Sequence, residues 1–134
     1  MSLLIRNLTR RAIPRLRYNA IVGRVFGKNQ QTEISLAFVS PARSRVLNRT
    51  YRGKNRPANI LTFPLTHDSG EILICLATAR AEARRVGLPF PKYLQQLFIH
   101  GLLHLKGCTH GSRMEKLELW VEQSLPDWTS ARRR

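Results

Sequence analysis

Acidic residues are scarce in this chain: eight Asp and Glu stand against 23 Lys and Arg, a formal net charge of +15. The shortage is sharpest in residues 1–60, where 13 basic side chains face only Glu33; that half carries +12 and residues 61–134 carry +3. Such a field repels basic partners and draws polyanions, of which nucleic acid is the simplest. Generic solubility is the competing explanation, although mixed-sign charge would serve it better. Cysteine is nearly missing too. Cys75 and Cys108 cannot build a disulfide framework, and Cys75, inside an apolar run, reads as a small buried hydrophobe in a reducing compartment. No apolar stretch is long enough to span a membrane. Histidine is also rare, yet three of the four fall within the eleven residues from His100 to His110.

With 134 residues, 43% of them hydrophobic, the chain suits one domain over residues 1–134. The Arg-rich, acid-poor N-terminus has the composition of an organellar targeting segment. Leu3-Leu4-Ile5, however, looks like a core strand starting almost at residue 1, so a cytoplasmic location is expected, with organellar import as the alternative. Arg132-Arg133-Arg134 reads as a solvated tail.

Residues 3–7 form a first expected strand, and Pro14 opens an expected helix that Gly27 ends. Residues 33–39 alternate around Ile34, Leu36 and Phe38 until Val39 breaks the period, which predicts a strand with a well-buried end. Ser40-Pro41 supplies an N-cap and a first-turn proline for a helix running towards Tyr51, with Val46, Leu47 and Thr50 on its inner side and Gly53 as its stop. Residues 59–64 and 71–76 are two extended segments around a six-residue connection that suits a hairpin. Residues 78–86 and 92–106 follow as helices. The second bears Leu94, Leu97, Phe98, Gly101, Leu102 and Leu105 as an apolar stripe, with His100 and His104 beside it. Ser112 to Glu115 opens a last helix that packs through Leu117, Val121 and Leu125. The fold class is α+β: a small mixed sheet against helices, with the metal site on a helix and the turn after it.

Histidines four apart on a helix share a face, close enough for two imidazoles to grip one ion. Gly107 lets the chain leave the helix and bring His110 back. Three protein nitrogens leave a fourth position for water, the catalytic pattern for a single zinc ion. Two alternatives compete: ordinary hydrogen-bonded histidines, and a structural site with Cys108 as fourth ligand, which its position two residues before His110 makes awkward. A zinc peptidase would carry Glu after the first histidine as its base, and here that position is Gly101. The complementary half of a phosphate site lies in Tyr51-Arg52-Gly53-Lys54-Asn55-Arg56. Arg52 offers phosphate a planar pair of donors, while Lys54 and Arg56 add less directional attraction. The competing reading is a solvated charged turn. Tyr51 either stacks on a base or covers the edge of the core.

Tyr51 to Lys54, Asn59-Ile60-Leu61-Thr62-Phe63-Pro64, Gly70 to Cys75 and His100 through His110 together resemble the YbeY-type family of single-strand-specific, metal-dependent endoribonucleases. The resemblance implies a compact α+β fold with a cleft, zinc at His100, His104 and His110, and a functional arginine at Arg52. It further implies ribosomal RNA as substrate, near the 3′ end of the small-subunit RNA. Late ribosome quality control is implied as well, with the small ribosomal subunit or assembly proteins as partners. Cys108-Thr109 stands where bacterial members carry Tyr-Asp, and Gly70-Glu71 where Gly-Asp is usual. Cleavage by activated water and attack by the ribose 2′-hydroxyl both remain open, and no general base is visible. The alternative of another class is a non-catalytic, zinc-containing RNA-binding assembly factor.

Overall fold

The alternation of residues 33–39 organises the sheet. The structure is a computed structural model that describes residues 1–27, 31–108 and 111–124. In chain order it forms β1 (Ser2–Asn7), α1 (Tyr18–Phe26), β2 (Glu33–Val39), α2 (Pro41–Arg52), β3 (Ile60–Thr66), β4 (Ser69–Cys75), α3 (Leu76–Val86), α4 (Phe90–Leu105) and α5 (Ser112–Ser124). The strand order is β1-β2-β4-β3; β1–β2 and β2–β4 pair in parallel and β3–β4 antiparallel. The mixed sheet and α+β class are therefore as expected.

One face of the sheet sends Ile34, Leu36, Phe38, Ile72 and Ile74 into the larger core, where they meet Leu94, Phe98 and Leu102 of α4. The opposite face places Ala37, Val39, Leu61 and Leu73 against Leu47 and Ala58. Covering both faces buries all of Leu36 to Val39, which is why the alternation fades at Val39. Among the described residues no helix is long and apolar enough to cross a membrane.

Three expectations are corrected. Pro14 does not open α1, which begins at Tyr18. The Tyr18 hydroxyl donates to the Pro14 carbonyl at 2.7 Å, and its ring stands edge-on to Phe38 and Phe98, with centroids 6.3 and 5.7 Å away. That buried anchor fixes the helix start, and burial pushes the phenol pKa up, keeping it a neutral donor. Upstream, Arg11 and Arg15 would face each other at i,i+4, a like-charge pair that disfavours earlier helix.

The inner side of α2 differs as well. Its ends are as read: the Ser40 hydroxyl accepts from the Arg43 N–H at 3.2 Å, and Gly53 closes the helix at φ +69°. Yet Val46 is 49% exposed while Ser44 and Asn48 are each 1% exposed. Ser44 Oγ donates to the Ala58 carbonyl at 2.8 Å and accepts from its N–H at 2.9 Å. Asn48 Nδ2 donates to the Arg56 carbonyl at 2.8 Å. These polar positions turn inward because they satisfy backbone that would otherwise be buried without partners. The segment carrying Lys54 and Arg56 is thereby tied to α2.

Finally, β3 and β4 extend towards each other until only His67 and Asp68 separate them, so the six-residue connection is a tight hairpin. Pro64 is tolerated because β3 is an edge strand, and the register shifts between Pro64 and Thr66. Of the packing residues expected on α5, Val121 is buried, joined by Met114, and Leu117 is partly so; Leu125 lies outside the described residues.

Replacing Ser44 with Ala strips both partners from Ala58. Urea unfolding of Ser44→Ala should show a loss of about 1–3 kcal/mol, the cost of leaving buried polar groups unsatisfied. An unchanged midpoint would mean that the loop is not held through this hydroxyl.

Candidate active site

The site begins with the absence of a side chain. A Cβ built on Gly101 would lie 2.6 Å from Ile60 Cδ1 and 3.4 Å from both Ile72 Cδ1 and Thr62 Cγ2. A Cβ on Gly70 would lie 2.7 Å from Leu105 Cδ2. At both points α4 settles onto the β3–β4 hairpin because one partner is glycine. A glutamate after His100 would have to meet Ile60, Thr62 and Ile72 at this close approach.

One turn of α4 brings His100 and His104 together, with ring centroids 4.6 Å apart at 77° and their Nε2 atoms 3.0 Å apart. His100 Nδ1 meets Glu118 Oε1 of α5 at 2.9 Å. A carboxylate only accepts, so this contact assigns the ring proton to Nδ1 and leaves the lone pair of His100 on Nε2, facing His104. Two nitrogens bound to one zinc at about 2.0–2.1 Å would stand roughly 3.3 Å apart, so the observed pair fits such an ion with only a small ring adjustment. A metal-ligating histidine characteristically gives its other N–H to a carboxylate, as here.

The third expected ligand, His110, lies outside the described residues. Gly107, at φ +100°, does make the positive-φ exit expected after the helix. Cys108 packs against the larger core and lines a different cavity with Leu103, Met114 and Val121, which removes support from the four-ligand structural site. The remaining histidine, His67, sits at the hairpin tip with its side chain 94% exposed.

Arg52, the last residue of α2, does join the histidines. A cleft of about 550 Å³ is lined by Tyr51 and Arg52 on one bank, residues 59–63 along the sheet edge, and His100, Gly101 and His104 on the other. Lys54 and Arg56 are not in it. They line an adjoining hollow of about 390 Å³ that shares Arg52 and Asn59 with the cleft. Asn59 is fixed where the two meet: its Nδ2 donates to the Tyr93 hydroxyl at 2.9 Å, and its carbonyl accepts from the Cys75 N–H at 3.0 Å. Burial pushes the Tyr93 phenol up, opposed by the Asn59 hydrogen bond. Glu71 turns to Arg6, 3.6 Å away, and does not line the cleft.

Sequence reasoning missed Glu118. It is 18 residues from His100, and nothing local links them. The available signal was its spacing from Glu122, which meets Gln96 at 3.2 Å, so that two carboxylates one turn apart on α5 face α4.

A family model described as endoribonuclease YbeY matches residues 6–125. The chain belongs to this family. Relatives named endoribonuclease YbeY include one from Chromohalobacter salexigens, 37% identical over 114 residues, covering 74% of each chain. Another, from Thermotoga maritima, is 34% identical over 106 residues, covering 72% of this chain and 71% of the relative. The solution structure of a Thermotoga maritima protein superposes with a TM-score of 0.65 at 27% identity, covering 96% of this chain and 93% of the other. The family resemblance read from the segments is thus established, and so is the fold.

Gly101→Ala tests the seating of α4. Overpacking against Ile60 should cost about 1–3 kcal/mol, against a helix-propensity gain of about 1 kcal/mol, so urea unfolding should show a net loss near ~1 kcal/mol. In an Ile60→Val background, which removes the atom at 2.6 Å, the same change should become neutral or stabilising. Equal losses in both backgrounds would refute the close-packing account.

Proposed function

We propose that this chain is a zinc-dependent endoribonuclease that cuts single-stranded RNA, acting on the 3′ end of small-subunit ribosomal RNA and in late ribosome quality control. The observation that carries the reading is the pair of Nε2 atoms at 3.0 Å in the same cleft as Arg52. Membership of a family whose relatives are named endoribonucleases supports the reaction class. Ribosomal RNA is then the substrate, and the small subunit or assembly proteins are the partners in whose company it is met.

His100 and His104 would hold the ion through Nε2, with His110 as third ligand. Bound there, zinc supplies Lewis-acid polarisation of phosphate or of water. Glu118 keeps the His100 ring in the tautomer and orientation that ligation needs. Arg52 pairs with the phosphate through two parallel donors and offsets the charge that grows on it during cleavage. Lys54 and Arg56, next door, hold the backbone of the strand rather than the bond that breaks. Gly101 supplies no carboxylate, which sets this cleft apart from peptidase chemistry.

Cleavage of a labelled single-stranded RNA should stop with chelator and return with zinc. His104→Ala should abolish it, and Arg52→Ala should lower the rate by about 10²–10³-fold. Metal-independent cleavage unchanged in both variants would sink the assignment. Zinc-loaded protein that binds RNA without turnover would point to an assembly factor instead. Glu118→Ala should weaken zinc binding by about 10–100-fold in chelator competition, with the fold intact by circular dichroism; parental zinc affinity would remove the carboxylate from the site.

A further inference from the structure

Tyr51 is 66% exposed, one of the most exposed large hydrophobic side chains among the described residues. Most of its surface is therefore open to solvent. Its ring is nevertheless held, standing 5.1 Å from that of Phe63 at 69°. Phe63 is in turn packed against Ala37, Val39, Leu61 and Leu73. An exposed aromatic alone is unremarkable on a protein surface. This one is braced by a second ring, immediately precedes Arg52, and lines the cleft that holds His100 and His104. Tyr18 and Tyr93, by contrast, are committed to the fold through bonds to Pro14 and Asn59.

We propose that Tyr51, braced by Phe63, is the stacking platform for one unpaired nucleobase of the RNA next to the bond that is cut. This inference rests on the nuclease reading above and supplies its specificity. A base inside a duplex has both faces covered by its neighbours and cannot lie on the ring, whereas a base in a single strand can. The arginine takes the phosphate and the ring takes the adjoining base, so the cleft reads strandedness through a face that every base has. No particular sequence is required by such a platform.

The test is binding of short RNAs to the full chain, measured by fluorescence anisotropy in chelator so that none is consumed. Tyr51→Ala should weaken single-stranded RNA by about 5–150-fold, while Tyr51→Phe and Tyr51→Trp stay near the parent. Duplex RNA should bind parent and Tyr51→Ala alike. A single-stranded RNA with an abasic position at the contacted base should bind the parent as weakly as it binds Tyr51→Ala. Unchanged single-strand affinity in Tyr51→Ala, or an equal loss on intact, abasic and duplex RNA, overturns the platform. A parent that cleaves RNA while Tyr51→Ala binds normally rejects this inference alone. Base-dependent binding through Tyr51 without any cleavage supports it and rejects the nuclease reading alone.

Discussion

Everything in the site depends on how closely one helix can approach one hairpin. α4 lies against β3 and β4 where Gly101 faces Ile60 and Gly70 faces Leu105, and at each point a single missing Cβ sets the distance. Because α4 is seated there, the positions flanking Gly101 fall on the rim of the sheet, and His100 and His104 open into the cleft instead of the core. A side chain at 101 would have to displace the Ile60 side-chain end and press on Ile72 and Thr62, at the point where the helix meets the hairpin. Arg52 reaches the same cleft from the other face of the sheet. The glycine after the first histidine therefore has a structural reason as well as a chemical consequence: it seats the helix, and it leaves the site without a glutamate.

Much of this could be read from one-dimensional pattern where the deciding interactions are local. Alternation defines β2, Ser40-Pro41 and Gly53 bound α2, and the four-residue spacing of His100 and His104 makes them neighbours. Those are short-range rules of pleat, cap and helical turn. The chemistry of Arg52 named it as the phosphate partner of the histidines, but only the family resemblance bore on their sharing one cleft, since they stand on opposite sides of the sheet.

What was not legible came from partners far along the chain. Ser44 and Asn48 face inward because backbone at Ala58 and Arg56 needs them, 14 and 8 residues away; the sequence pattern assigned that side to Val46, Leu47 and Thr50, of which Leu47 alone packs on the sheet. Glu118 became visible only when α5 docked on α4. Tyr51 could have been core or surface until Phe63 and the sheet edge were placed beside it. In each case a polar or amphipathic side chain takes its role from a tertiary neighbour, and pattern rules are blind to that.

The charge operates over two ranges. The +12 of residues 1–60 attracts any polyanion and falls off with salt, so by itself it selects nothing. Selection has to arise where positions are fixed. The segment bearing Lys54 and Arg56 is anchored by Ser44 and Asn48, and Arg52 sits on the last turn of a helix closed by Gly53. The backbone that carries Lys54 and Arg56 is therefore fixed along the hollow that adjoins the histidine cleft. Donors fixed in advance need little reorganisation when charge moves on the substrate, and that is the condition under which they favour a reaction rather than mere adhesion. A chain that used its basic residues only for attraction would have no need to bury two polar side chains to pin a charged turn in place.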